Sequence, residues 1–308
     1  LESEDVGLYK YDILSQRGLG HIKDTIELVK KNKVIEIDIR RIEEFKQDEA
    51  IKQLIRDGRC IGCFYVESPA MRMLLKKLNV DQYIQLVAAS SIIRPGVASS
   101  GMMREYILRT HHPEKRTYIH PVMKELMEET YGVMVYQEDV IKVAHHFAGL
   151  DLSEADVLRR GMSGKFRSRE EFLKIKNRFF DNCKERGYTE AITSEVWRQI
   201  ESFAGYSFSK GHSASYAVES YQSLYLKAHY PLEFMVGVIN NFGGFYRTEF
   251  YVHEARMSGA TIALPCVNTG EYLTSIEGEI ITLGFIHLAG LEYDTATSIA
   301  LERMKNGP

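Results

Sequence analysis

Lys10 and Asp12, an amine and a carboxylate two residues apart, stand inside the run Leu8-Tyr9-Lys10-Tyr11-Asp12-Ile13-Leu14. The alternation and ring content of that run fit a short strand, and strand spacing puts both side chains on one face. A phosphoryl-transfer centre has a use for each: Asp12 as a ligand to Mg2+, Lys10 as a point charge toward a triphosphate. A solvated strand face is by far the commoner account of that spacing.

Two further segments carry the chemistry of phosphate and of bases. Between Arg159 and Arg169 stand five cations, Arg159, Arg160, Lys165, Arg167 and Arg169, with no anion among them. Gly161 and Gly164 let backbone approach a ligand, and the charges can neutralise phosphates. The plain alternative is a helix C-terminus, where cations suit the dipole. From Phe203 to Tyr216, aromatic rings including Tyr206 interleave with Lys210, His212 and four Ser. Rings stack on bases while an amine and an imidazole meet phosphates; an aromatic helix junction in the core fits as well. Arg94-Pro95-Gly96, with Ser99, Ser100 and Gly101 after it, places a cation on a stiff turn and hydroxyls at a helix start, where an anion is welcome, although a structural turn explains the segment better.

Other candidates weigh less. Cys60-Ile61-Gly62-Cys63 has zinc-ligand spacing, but no second Cys pair follows, and buried small residues explain it better. His145-His146 suits satisfied structural histidines, and Glu138 either orients a cation or favours a helix N-terminus.

Helical periodicity and capping signals are expected to position these groups. Helices are predicted over about 21–31, 48–58, 81–93, 100–109, 121–129, 139–148, 169–186, 194–203 and 214–229, with one around Met71 to Leu75 and another after Pro231. Ser153 with Asp156 resembles a capping box opening a helix to Arg160. Strand-like runs lie at 60–65, 133–136, 260–265 and 276–283, and a Gly290 turn leads into a last helix over 294–305. The character changes near Ser258-Gly259, which sets a boundary at about residue 257.

At 308 residues, 44% apolar and 26% charged, the chain has the composition of a soluble globular protein, and no apolar run suits a membrane span. A cytoplasmic place is expected by default, with no membrane partner. The net charge of -3 argues against holding nucleic acid by overall charge but leaves room for a local basic groove. Four Cys without a framework suit a reducing compartment. A start at Leu1 and an end just after a helical pattern lead us to expect a fragment of a longer protein.

In this order, the segments resemble the C-family bacterial DNA polymerases, the DNA polymerase III alpha subunits. Lys10-Tyr11-Asp12-Ile13-Leu14 is similar to the family's Lys-Phe-Asp-Phe-Leu strand, and Phe64-Tyr65-Val66-Glu67-Ser68 to its Phe-Gln-x-Glu-Ser. Arg94-Pro95-Gly96 and Ser100-Gly101-Met102 resemble Arg-Pro-Gly-Pro and its Ser-Gly-Met extension. Thr130-Tyr131-Gly132 with Tyr136-Gln137-Glu138, then Ala155 to Met162, and Phe203 to Ala214 continued by Tyr225 to Pro231, resemble successive fingers motifs. Departures include Ser15-Gln16-Arg17-Gly18 for Gly-Leu-Lys-Thr, Val97 for the second Pro, Phe166 within Gly-Lys-Lys, and Gly211 for Ser. They resemble the drift of an accessory or error-prone member.

The resemblance implies a mainly α (α+β) fold: the end of a palm at 1–17, a large helical fingers domain at 18–257, and the start of a DNA-binding region at 258–308. In that last region, Gly284 to Leu291 resembles part of a helix-hairpin-helix unit. It implies Asp12 as the catalytic and metal carboxylate, and Lys10, Arg94, Ser100, Gly101, Arg159, Arg160, Lys165, Tyr206, Lys210 and His212 as nucleotide-binding. Arg167, Arg169 and Gly290 are implied to contact DNA. The activity implied is two-metal nucleotidyl transfer with Mg2+, in a site incomplete within this chain. Implied partners are primer-template DNA, dNTP and the rest of the polymerase chain, with the sliding clamp and other replication subunits reached through regions outside it. The alternative is a non-catalytic DNA-binding or scaffold module of a replication or repair assembly.

Overall fold

The computed structural model describes residues 6–8, 17–93, 101–162, 169–203 and 209–307. Its helices run in chain order as α1 (Arg17–Lys33), α2 (Ile42–Phe45), α3 (Glu49–Asp57), α4 (Pro69–Leu78), α5 (Tyr83–Ile92), α6 (Met102–His111) and α7 (Pro121–Met127). There follow α8 (Gln137–Lys142), which passes into a π-helical turn (Val143–Phe147), α9 (Leu152–Met162), α10 (Arg169–Glu185) and α11 (Glu190–Phe203). The last are α12 (Lys210–His229), α13 (Pro231–Asn240), α14 (Thr248–Met257) and α15 (Tyr293–Asn306). The fold is mainly helical, as expected, with one small sheet.

Local sequence explains the helix ends. The Asp48 carboxylate accepts the N–H groups of Ala50 and Ile51 to start α3, and Gly58 ends it in the left-handed region at φ 64°. Between these caps Ile51, Leu54 and Ile55 are buried, one face of the helix. Ser68 and Pro69 open α4, and Pro121 opens α7.

The described residues fall into two compact units. One draws on Leu1–Arg40, Gly62–Phe64 and Gln222–Pro308, the other on Arg41–Ile61 and Tyr65–Tyr221. In the first, α1 and α14 pack on α13, whose Phe234, Met235, Val236, Val238 and Ile239 are buried. Its sheet has the order β1 (Thr261–Ala263), β3 (Ile280–Thr282), β2 (Ser275–Glu277), with β1 parallel and β2 antiparallel to β3. Asn32, near the end of α1, exchanges two hydrogen bonds with the backbone of Gly278 in the β2–β3 turn, at 2.8 and 3.1 Å. The second unit centres on Phe147, Phe179, Tyr188 and Trp197, whose rings meet at 4.6 to 6.3 Å.

Several local expectations change. Residues 60–65 form mostly buried turns, with Gly62 at φ 83° and Tyr65 at φ 63°, and 133–136 joins no strand. A short apolar run signals burial, not pairing. The run at 276–283 holds the end of β2, the turn at Gly278-Glu279 and then β3. The box opening α9 is Asp151 with Glu154, not Ser153 with Asp156. Lys210 and His212 lie in the first turn of α12, which starts four residues earlier than expected.

Candidate nucleotide-binding site

The site is built around the start of α8, in the second unit. The Asp139 carboxylate accepts the N–H groups of Val135 and Tyr136 at 2.8 and 2.9 Å, which fixes the entry of the chain into the helix. Burial pushes this carboxyl up to about 6 against those two bonds. With the entry fixed, the next two side chains, Gln137 and Glu138, reach in different directions to two other helices.

Gln137 Oε1 accepts from Arg159 Nη1 at 3.0 Å, and Arg159 also donates to Asp156 Oδ1 from Nε and Nη2 at 2.9 and 2.7 Å. Arg160 Nε meets the other oxygen of Asp156 at 2.9 Å. One carboxylate therefore holds both guanidinium groups at the C-terminal end of α9. Because the box at Asp151 and Glu154 satisfies the helix start, Asp156 is left for this role.

Glu138 Oε2 accepts the backbone N–H of Lys210 at 2.9 Å, and Lys210 Nζ meets Glu129 Oε2 at 2.7 Å. The same Nζ stands 5.5 Å from the centre of the Tyr136 ring. His212, exposed in the first turn of α12, lies 4.2 Å from the Tyr216 ring, and Tyr216 lies 4.9 Å from Tyr65. Tyr65 Oη donates to the Ser90 carbonyl at 3.0 Å, and the Ser91 and Ser213 hydroxyls pair at 2.5 Å. The start of α12 is thereby tied to the last turn of α5, after which the chain continues toward Arg94.

Arg159 and Lys210 are thus brought to one short segment, Arg159 by Gln137 and Lys210 by Glu138 and the Tyr136 ring, with Arg160 joined to Arg159 through Asp156 and His212 about half a turn beyond Lys210. Their ion pairs are partly exposed, with side-chain exposures of 24% for Arg159, 43% for Arg160 and 37% for Lys210. Pairs of that kind contribute about 0.2–1 kcal/mol each, so a polyphosphate with more charge can displace the carboxylates at small loss. Glu129 is the member that the residue patterns did not single out: its contact with Lys210 crosses 81 residues of chain.

Other candidates stand elsewhere. Gly101 caps α6 at φ 80° and borders a cleft of about 530 Å³ that is also lined by Arg104, Arg109, Glu195, Arg198 and Gln199. Gly290, at φ 80°, makes the left-handed turn before α15. Arg169 begins α10. Lys10, Asp12, Arg94, Ser100, Lys165, Arg167 and Tyr206 lie outside the described residues. Among the described residues no group of three or more His, Cys, Asp or Glu is placed to hold a metal ion. Cys60 and Cys63 are buried.

Residues 18–187 match the model of the bacterial DNA polymerase III alpha subunit finger domain. This chain belongs to that family. The finger-domain match takes in α1 to α10, hence Glu129, the Tyr136–Glu138 segment, Asp156, Arg159 and Arg160; Lys210, His212 and Gly290 lie after it, Lys10 and Asp12 before it. The chain is 36% identical over 309 residues to the DNA polymerase III subunit alpha of Staphylococcus aureus (strain COL), covering 99% of this chain and 28% of that protein. The DNA polymerase III subunit alpha of Staphylococcus epidermidis (strain ATCC 35984) is 36% identical over 310 residues, 100% of this chain and 28% of that protein. The chain therefore spans about 28% of the length of these relatives. No helix among the described residues is long and apolar enough to cross a membrane.

Proposed function

We propose that this chain supplies the dNTP- and DNA-holding fingers of a DNA-directed DNA polymerase, part of a two-metal nucleotidyl transferase. The observation that carries the reading is that Gln137 and Glu138, neighbours at the start of α8, hold Arg159 and Lys210, while Asp156 joins Arg160 to Arg159 and His212 follows in the first turn of α12. In this reading the guanidinium groups and the Lys210 amine hold the triphosphate, while Tyr206 and His212 border the nucleotide. Lys10, Arg94, Ser100, Gly101 and Lys165 complete its contacts, and Arg167, Arg169 and Gly290 meet the DNA backbone. Asp12 is assigned to Mg2+ by resemblance; when bound, the ion would offset the charge of the triphosphate and favour attack by the primer hydroxyl. The protein's own residues contribute position and charge at the triphosphate.

The division into a palm end at 1–17, fingers at 18–257 and a DNA-binding start at 258–308 belongs to the same proposal. So do its partners, primer-template, the rest of a polymerase chain and a sliding clamp, and a cytoplasmic place. An accessory or error-prone role fits the departures at Ser15 to Gly18, Val97, Phe166 and Gly211.

Equilibrium binding in the full-length polymerase tests the site. Arg159→Ala and Lys210→Ala are each expected to weaken dNTP binding by about 8-fold, roughly 1.2 kcal/mol, with primer-template affinity kept. Loss of DNA affinity alone would favour a DNA-binding or scaffold module. The 308-residue chain by itself is expected not to extend a primer, because Asp12 is its sole polymerase-type carboxylate by resemblance. Measurable incorporation by the pure chain would contradict this.

A further inference from the structure

Two acids hold Lys210, and they reach it from different elements and at different atoms. Glu138, half-buried in the first turn of α8, accepts the backbone N–H of Lys210 at 2.9 Å. That N–H opens α12, where a helix leaves its donors without internal partners, so the Glu138 carboxylate caps the helix from 72 residues away. Glu129 meets the other end of the residue, Nζ, at 2.7 Å, with side chains 45% exposed for Glu129 and 37% for Lys210. The first contact fixes a backbone. The second joins two side chains that both reach water.

The backbone of Glu129 is fixed, whereas its carboxylate can leave. Glu129 stands in the turn after α7, where the Gly132 N–H donates to the Met127 carbonyl at 2.8 Å and Arg109 Nη1 donates to the Tyr131 carbonyl at 2.9 Å. Gly132 turns the chain at φ 79°, and a Cβ there would come within 2.9 Å of the Tyr118 ring. On its other side the Lys210 amine faces the Tyr136 ring, which is 2% exposed and has its centre 5.5 Å from Nζ. A cation over a buried ring keeps part of its placement when its carboxylate departs.

We infer that Glu129 is a displaceable counter-ion, an electrostatic latch that occupies the Lys210 amine until a polyphosphate replaces it, while Glu138 is a support that stays. This role rests on Lys210 being a triphosphate contact. In the exchange the ammonium gives up one anionic oxygen for another, Glu129 turns out into water, and Glu138 keeps its bond to the backbone. Asp156, Glu129 and Glu138 stand against Arg159, Arg160 and Lys210, so the empty site is close to neutral and does not collect other anions. An exposed pair of this kind opposes release of the amine by a factor of about 1.4 to 5. Taking away the Glu129 charge therefore strengthens nucleotide binding, where loss of a purely structural contact would weaken it.

Equilibrium binding of dATP to the full-length polymerase on a chain-terminated primer-template is the test. Glu129→Gln is expected to tighten dATP binding by about two- to fivefold. Glu138→Ala is expected to weaken it, because the start of α12 loses its support. Opposite signs at two acids on one lysine separate the latch from a structural role, and a damaged fold does not tighten binding. The gain from Glu129→Gln should vanish when Lys210→Ala is already present, since the latch acts only through that amine. Unchanged or weaker binding in Glu129→Gln, with Lys210→Ala still weakening it, would overturn the latch and leave the nucleotide-site reading standing. A gain that persists without the Lys210 amine would also overturn it, as the effect of a general field. Binding unaffected by Lys210→Ala would overturn both.

Discussion

His21 shows how a single buried group sets a pH response. It is 4% exposed on α1, and burial pushes its imidazole down to about 4, against the opposing influence of the Gly62 and Gly243 backbone and of Asp24. A folded value below the unfolded one of about 6.5 means that the unfolded chain binds the proton first. The stability at stake is therefore full above about 6.5 and is lost as pH falls from there toward 4, on the order of 3 kcal/mol. Asp139 runs the other way: raised to about 6, its contribution is greatest below the usual carboxylate value and is lost as pH climbs through 6. The test is a comparison of variants, because these slopes add. Urea unfolding of His21→Leu is expected to lose less stability than the parent between pH 7 and about 4.5. Equal losses in the two proteins would show that the ring ionises freely in the fold.

At the scale of elements, α12 and α14 are pinned by a pair that lies mostly inside. Lys227 Nζ meets Glu254 Oε1 at 2.7 Å, with side chains 5% and 21% exposed. Removing the carboxylate takes a charge partner from the buried Lys227 ammonium, so Glu254→Ala is expected to lower unfolding free energy by about 1–3 kcal/mol. Lys227→Met with Glu254→Leu should recover most of that, and a double change no better than the single would refute the pairing argument. Elements whose signals are local were legible in the residues: Asp48 and Gly58 mark α3, Pro121 starts α7, and Pro231 starts α13. Elements that answer to distant packing were not. Gly62 turns the chain at φ 83° against Phe234 and Met235, so a run with strand-like residues folds as turns. The site divides the same way. Its cations stood out by type and spacing, whereas Gln137, Glu138 and Glu129 join Arg159 and Lys210 across 22, 72 and 81 residues, which periodicity does not reveal. The acid at Asp156 was visible, but as a helix cap, because a capping pattern and an arginine clamp use the same residue type.

For the whole molecule, a net charge of -3 means that no overall field draws DNA to the chain. Any grip on the duplex must come from a few cations in one place, and the stretch from Arg159 to Arg169 is where five of them stand without an acid between. Two of these, Arg159 and Arg160, are held by Asp156 and face the nucleotide in the proposed function, which leaves Arg167 and Arg169 as the pair assigned to DNA. Such a division has a measurable consequence, because each phosphate contact releases counterions and adds to the salt dependence of binding by about 0.9 per contact. In the full-length polymerase, Arg167→Ser with Arg169→Ser is expected to flatten the plot of log affinity for primer-template against log salt by about 1.8, with dNTP binding unchanged. Arg159→Ala is expected to do the opposite, weakening dNTP binding while leaving that slope alone. If the two sets of variants gave the same pattern, the cationic stretch would act as one undivided phosphate surface, and separate nucleotide and DNA roles within it would have to be abandoned.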